Sequence, residues 1–229
     1  MKRTDALKQF TAKQGKPTNS IILNQNNLTY FMGFTGATAL LIPEQGENTL
    51  YVSSVNYEQA KAETQRVNIQ LLKRGENVIE KIAKENPTKK FSFDTMPIEN
   101  WRALSKTVGE ENLQPINNLI SELRRVKDQD EIKLIREACK LATVGMQTAK
   151  EIIGVGVKEK DVAAEIEYAM RKAGSDGTGF ETIVASGATS AYPHGSNLER
   201  KICDGDFVIV DLGATYKFYR SDMTRTFIA

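Results

Sequence analysis

Histidine, cysteine and tryptophan are scarce in this chain: one His, two Cys and one Trp in 229 residues. Cys139 and Cys203 lie far apart and form no CxxC pair, which argues against a disulfide framework and for a reducing, cytoplasmic setting. Cys139 falls on the apolar stripe of a predicted helix, so a buried free thiol is expected there. No apolar run approaches the roughly 18 residues of a membrane span, and the opening MKRTDALKQF has no signal-peptide core. A net charge of +2 is too small to argue for nucleic acid or an anionic membrane surface. Internal repeats and low-complexity tracts are absent, and Gly33 and Gly36 in FMGFTG fit turn geometry without forming a phosphate loop.

What remains is an ordinary globular composition, 40% hydrophobic and 26% charged, with enough length for one large domain or two modest ones. Apolar periodicity predicts helices over 3–14, 55–65, 77–86 and 97–108, and strands over 20–24, 37–42, 49–53, 69–72 and 90–94. That alternation implies an α/β unit, a sheet with helices packed on it. The polar segment Gln114–Asn118 carries Pro115 and marks a boundary there or just beyond, giving domains over 1–120 and 121–229. Asp128 and Glu131 are spaced as an N-cap and its N3 acceptor. Ile132, Ile135, Cys139, Ala142, Met146 and Ala149 then recur at intervals of three and four, as on the apolar face of a long helix. A second helix begins near Lys158 and stops at Gly174; a strand, a loop and a hairpin follow, an α+β pattern. Lys89-Lys90 and Arg124-Arg125 are expected to be solvated surface.

The hairpin poses the chemical question. In VIVDLGATYKFYRSDMTRTF, residues 208–227, a turn at Tyr216-Lys217 would set Asp211 directly opposite Asp222. Opposed residues on antiparallel strands share a face, with Cβ atoms roughly 5 Å apart. Two bare carboxylates at that spacing repel by roughly 3 kcal/mol at an effective dielectric of about 20. A shared proton, a nearby Lys or Arg, or a metal cation would offset the cost. Thr224, two residues beyond Asp222, shares its face and can bond a ligand carboxylate or simply form strand; Arg225 points the other way and is read as structural. His194, alone after proline in a polar loop, reads by itself as surface.

FETIVASGATSAYPHG and GDFVIVDLGATYKFYRSDMTRT resemble the catalytic domain of Xaa-Pro peptidases: prolidase, aminopeptidase P and creatinase-like relatives of the pita-bread fold. ELRRVKDQDEIKLIREA is similar to the family's entry into that domain. LTYFMGFTGATALLI and VNYEQA resemble its creatinase-like N-terminal domain, so the likeness spans almost the whole chain.

The resemblance implies an α/β creatinase-like domain followed by an α+β pita-bread domain that is incomplete in this chain. It makes Asp211 and Asp222 the first ligands of a site for two divalent metal ions (Mn, Co or Zn), and His194 a catalytic and substrate-binding residue. Tyr192 becomes a candidate for the substrate pocket and Thr224 a support for the ligands. The implied activity is metal-dependent hydrolysis of the bond between an N-terminal residue and proline, in a homodimer that binds neither nucleic acid nor membrane. The family's later histidine and two glutamates lie in motifs this chain does not reach, and His194 is the sole histidine. We therefore expect the chain to be the N-terminal part of a peptidase, holding metal weakly by itself. Phe218 stands where relatives carry glycine before the tyrosine. Two alternatives remain: a metal-free creatinase-type hydrolase, which retention of both aspartates opposes, and a non-catalytic pita-bread binding module.

Overall fold

Strand by strand, the first half alternates between two cores. The computed structural model describes residues 3–193 and 199–229, and the chain divides into two compact units, Met1–Val126 and Lys127–Ala229. The first contains, in order, α1 (Arg3–Lys13), β1 (Ser20–Ile22), α2 (Gln25–Met32), β2 (Ala37–Ile42), β3 (Thr49–Ser53), α3 (Tyr57–Glu63) and β4 (Asn68–Leu72). It continues with α4 (Val78–Glu85), β5 (Phe91–Phe93), α5 (Ile98–Val108), β6 (Leu113–Pro115) and α6 (Asn117–Arg125). The six strands form one sheet in the order β4-β3-β2-β1-β5-β6. Pairing is antiparallel around β2 and parallel elsewhere. Successive side chains point to opposite faces. Ile22, Leu40, Ile42, Leu50 and Val52 therefore pack with Leu7, Leu28, Ala60 and Ile120 of α1, α2, α3 and α6. Ile21, Ala39, Leu41 and Tyr51 pack with Ile79, Ile82 and Leu104 of α4 and α5. Both faces of the sheet are covered.

The helices α2 and α6 and the strand β6 were not expected from the sequence. Asn24 caps α2, its side chain accepting from the Asn26 and Asn27 amides, and Gly33 ends it at φ +67°. Buried Asp94 anchors the same turn, accepting from the Leu23 and Asn24 amides and the Asn27 side-chain amide at 2.9, 3.0 and 2.9 Å. Arg124 is not merely solvated: it donates to Asn27 Oδ1 at 2.9 Å, and its guanidinium lies 5.8 Å from the centre of the Tyr30 ring. Because α6 runs to Arg125, a division at residue 120 would cut a helix; the units part after Val126.

The second unit contains α7 (Gln129–Ile152), α8 (Glu159–Lys172), β7 (Gly177–Thr178), β8 (Ile183–Ser186), β9 (Phe207–Leu212), β10 (Ala214–Tyr216), β11 (Tyr219–Arg220) and β12 (Met223–Ile228). Asp128 and Glu131 form the expected capping box at the start of α7. The buried stripe of α7 runs through Ala138, Leu141, Ala142, Gly145, Met146 and Ala149. Cys139 is exposed, contrary to the expectation of a buried thiol. The stripe is rotated because α8 approaches closely at Gly145, where a Cβ would sit 2.8 Å from Met170 Cγ. Two three-stranded sheets, β11-β10-β7 and β12-β9-β8, complete the unit. Val184, Val208, Val210 and Leu212 face the α7–α8 pair.

Candidate metal centre

The hairpin turns at Lys217 and Phe218, both with positive φ (44° and 73°), so Thr215 pairs with Arg220 and Tyr216 with Tyr219. The expected turn was one residue earlier. Tertiary contacts select the observed register: the Lys217 amide donates to Asp176 Oδ2 at 2.6 Å, and the Tyr219 hydroxyl lies 2.8 Å from Glu131 Oε1 on α7. As a result Asp211 is not opposite Asp222. Its cross-strand partner on β12 is Thr224, and on β8 it is Ile183. The directly opposed carboxylates inferred from the sequence, and the repulsion reckoned from them, do not hold.

Asp222 lies instead in a break in the hairpin. Residues 221 and 222 belong to no strand, and Gly213 separates β9 from β10. The two strands come so close here that a Cβ at Gly213 would run into the Ser221 carbonyl oxygen and come within 2.6 Å of the Phe180 ring. Only glycine fits between Asp211 and the returning strand. Ser221 is buried and holds the break to the helix layer: its hydroxyl donates to the Ala138 carbonyl at 2.9 Å and accepts from the Ala214 amide at 3.0 Å. Gly213 and Ser221 thus set where the two aspartates stand. The pinning role of Ser221 was not read from the sequence.

Thr224 is placed as expected, on the face of Asp211, and its hydroxyl donates to Asp211 Oδ1 at 2.7 Å. That bond orients the carboxylate through one oxygen. Among the described residues the carboxylate of Asp222 makes no hydrogen bond or ion pair, and it is exposed. Arg225 points away from Asp211, as parity requires, with its guanidinium on the Thr224 carbonyl at 2.7 Å. Tyr192 is 63% exposed at the end of the 3-10 segment Gly187–Ala191, its amide bonded to the Thr189 carbonyl at 3.1 Å. His194 lies outside the described residues, so the structure does not join it to the aspartates.

Hard carboxylate oxygens suit divalent cations, so this pair fits a metal in kind. It falls short in number: among the described residues no three His, Cys, Asp or Glu side chains are grouped to hold one ion.

The sequence models of known families divide the chain at the same place as its packing. Residues 3–126 match the Creatinase/Prolidase N-terminal domain and residues 133–229 match Metallopeptidase family M24. The chain belongs to the Xaa-Pro peptidase family, with a creatinase-like domain preceding a pita-bread domain. It is 36% identical over 205 residues to an Xaa-Pro dipeptidase of Pyrococcus furiosus, covering 88% of this chain and 58% of that protein. Among solved structures it resembles the prolidase of Pyrococcus horikoshii, with TM-score 0.87 and 31% identity over 99% of this chain and 64% of that one. An X-Pro aminopeptidase of Thermotoga maritima aligns at TM-score 0.85 and 31% identity, over 100% of this chain and 65% of that one. The chain thus spans about three fifths of these relatives.

Proposed function

We propose that the protein is a metal-dependent hydrolase that cleaves the bond between an N-terminal residue and proline, with Xaa-Pro dipeptides as the preferred substrates. The observation that carries this reading is the pair of aspartates on either side of the Gly213–Ser221 break, one steered by Thr224 and the other without a protein partner among the described residues. Asp211 and Asp222 would hold divalent metal, Mn²⁺, Co²⁺ or Zn²⁺, with two ions as the full complement. When bound, such an ion polarises a peptide carbonyl and lowers the pKa of water. Thr224 keeps Asp211 aimed, and the side chains of Tyr192 and His194 are assigned to the substrate. Proline's tertiary amide has no N–H, so a site that asks for none at that position selects for it. A homodimer and a cytoplasmic setting belong to the same proposal. The resemblance to an aminopeptidase makes substrate length the open variable within it.

Release of the N-terminal glycine from Gly-Pro and from Gly-Pro-Gly, by the protein as its gene encodes it and in the presence of Mn²⁺, tests the reading. Faster release from the dipeptide, lost about 100-fold or more in Asp211→Asn and Asp222→Asn, is the expected result for groups that hold a catalytic ion. Undiminished turnover in both variants would favour metal-free hydrolysis. Absence of turnover in a protein that binds metal and is folded would favour the binding-module alternative.

A further inference from the structure

Glu159, the first residue of α8, is completely buried. Its Oε1 accepts from the Ser186 amide and the Ser186 hydroxyl, both at 2.7 Å, and lies 3.1 Å from the Thr189 hydroxyl. Among the described residues its buried Oε2 has no partner. The neighbouring groups join the same cluster. Arg200 donates to Ser186 Oγ and grips Asp206 through both guanidinium nitrogens at 2.6 and 3.2 Å. The Glu159 amide donates to the Arg200 carbonyl at 3.1 Å, and Lys158 and Lys160 both pair with Glu199.

The destinations of these bonds have a pattern. They run to Ser186 and Thr189, where the chain leaves β8, and to Glu199 and Arg200, where it returns toward β9. One turn of α8 therefore holds both stems of the segment that carries Tyr192. A buried carboxylate with one bare oxygen is a poor way to gain stability, since an apolar side chain of similar shape avoids the desolvation cost. It is a good way to fix a backbone direction, because the amide and hydroxyl of Ser186 converge on one oxygen, and the Thr189 hydroxyl beside them also bonds the Ser186 carbonyl at 2.8 Å. Gly187 adds to the constraint: it adopts φ +55°, and a Cβ there would strike the Arg200 guanidinium.

We propose that Glu159 is a positioning residue for the segment Gly187–Pro193: it sets the direction in which that segment leaves β8, and so the placement of Tyr192 against substrate. The inference rests on the Xaa-Pro reading above.

The test compares Glu159→Leu and Glu159→Gln with the wild-type protein, by amide hydrogen exchange and by Gly-Pro kinetics with Mn²⁺. In Glu159→Leu the amides of 186–193 should exchange about 10-fold faster or more, as for a locally opened segment, while those of β9 keep their protection. The same variant should lose about 100-fold in kcat/KM, mostly through KM, the size expected of a misplaced substrate contact. Mn²⁺ affinity should stay at the wild-type value. Glu159→Gln keeps an oxygen acceptor and should recover most of the loss. If Glu159→Leu does not fold, Thr189→Val and Ser186→Ala remove the same links from the other side. Wild-type kinetics in a folded variant would overturn the inference. So would unchanged exchange over 186–193, or exchange that rises equally in β9. A wild-type protein that cleaves no Xaa-Pro peptide would sink the underlying reading and the inference with it; an active wild type with an equally active Glu159→Leu would sink the inference alone.

Discussion

The two units treat their sheets differently. In the first, α1, α2, α3 and α6 cover one face and α4 and α5 cover the other. In the second, α7 and α8 cover the face bearing Val208, Val210 and Leu212. The opposite face of β9 and β12 carries Phe207, Asp211, Thr224 and Ile228, and among the described residues no helix packs on it, with Phe207 60% and Ile228 71% exposed. In the first unit most strand side chains on both faces are taken up by the two cores. A sheet with one open face can present a carboxylate that is oriented from its own strand. Among the described residues, Asp211 and Thr224 stand on the strand face that α7 and α8 do not cover.

The contrast can be broken most directly by substitutions that act on one unit at a time. Leu40→Ala empties a fully buried position in a central strand of the first unit and should cost about 3 kcal/mol. Gly213→Val forces a side chain into the Ser221 carbonyl and the Phe180 ring, and should cost the second unit about 3 kcal/mol. The two differ in what else they remove: Gly213→Val should abolish Mn²⁺ binding, and Leu40→Ala should leave it intact. Denaturant unfolding paired with calorimetric titration checks both. Loss of metal binding in Leu40→Ala at temperatures where it is folded would break the contrast.

A smaller effect of opposite sign is expected at the hairpin turn. Phe218 holds φ +73° and is half exposed, a conformation that costs an L-residue about 1–2 kcal/mol and glycine little. Phe218→Gly should therefore raise stability by about 1 kcal/mol, read as a higher denaturation midpoint with unchanged slope. A lower midpoint would mean that the ring contributes more through contacts than the turn loses through strain.

The smallest effect is a pH dependence confined to the Glu159 cluster. The Arg200 guanidinium, and after it the Cys203 amide, hold the Asp206 carboxyl below the usual aspartate range, while Asp206 raises Arg200 further. A depressed carboxylate stabilises the fold fully above its unfolded pKa, and that contribution is lost as the pH falls through the lower folded value. Protection of the Cys203 amide should therefore persist through neutral and mildly acidic conditions and disappear only below the ordinary aspartate range. Asp206→Asn should show no such step.

How much of this was legible in the sequence follows from where the deciding contacts lie. β2 and β3 were read to their observed bounds, because ATALLI and TLYVS are continuous apolar runs between turn residues. The cap of α7 was legible because Asp128 and Glu131 act on their own backbone. By contrast, α2 is short and polar, and Asp94, which anchors it, lies seventy residues further along the chain. The hairpin register failed for the same reason: Asp176 and Glu131, both distant in sequence, choose the turn. Face parity survived the shift, since a two-residue slip keeps side chains on their original side. Glu159 looked like any acidic residue in a first helical turn, and only packing shows that it is buried.

Calorimetric titration of the protein with Mn²⁺, beside Asp211→Asn, Asp222→Asn and Thr224→Val, tests the central claim most directly. The account predicts saturable binding that disappears in both aspartate variants and weakens about 10-fold in Thr224→Val, the size expected when an orienting partner of a ligand is removed. Binding that persists unchanged in Asp211→Asn and Asp222→Asn would contradict it.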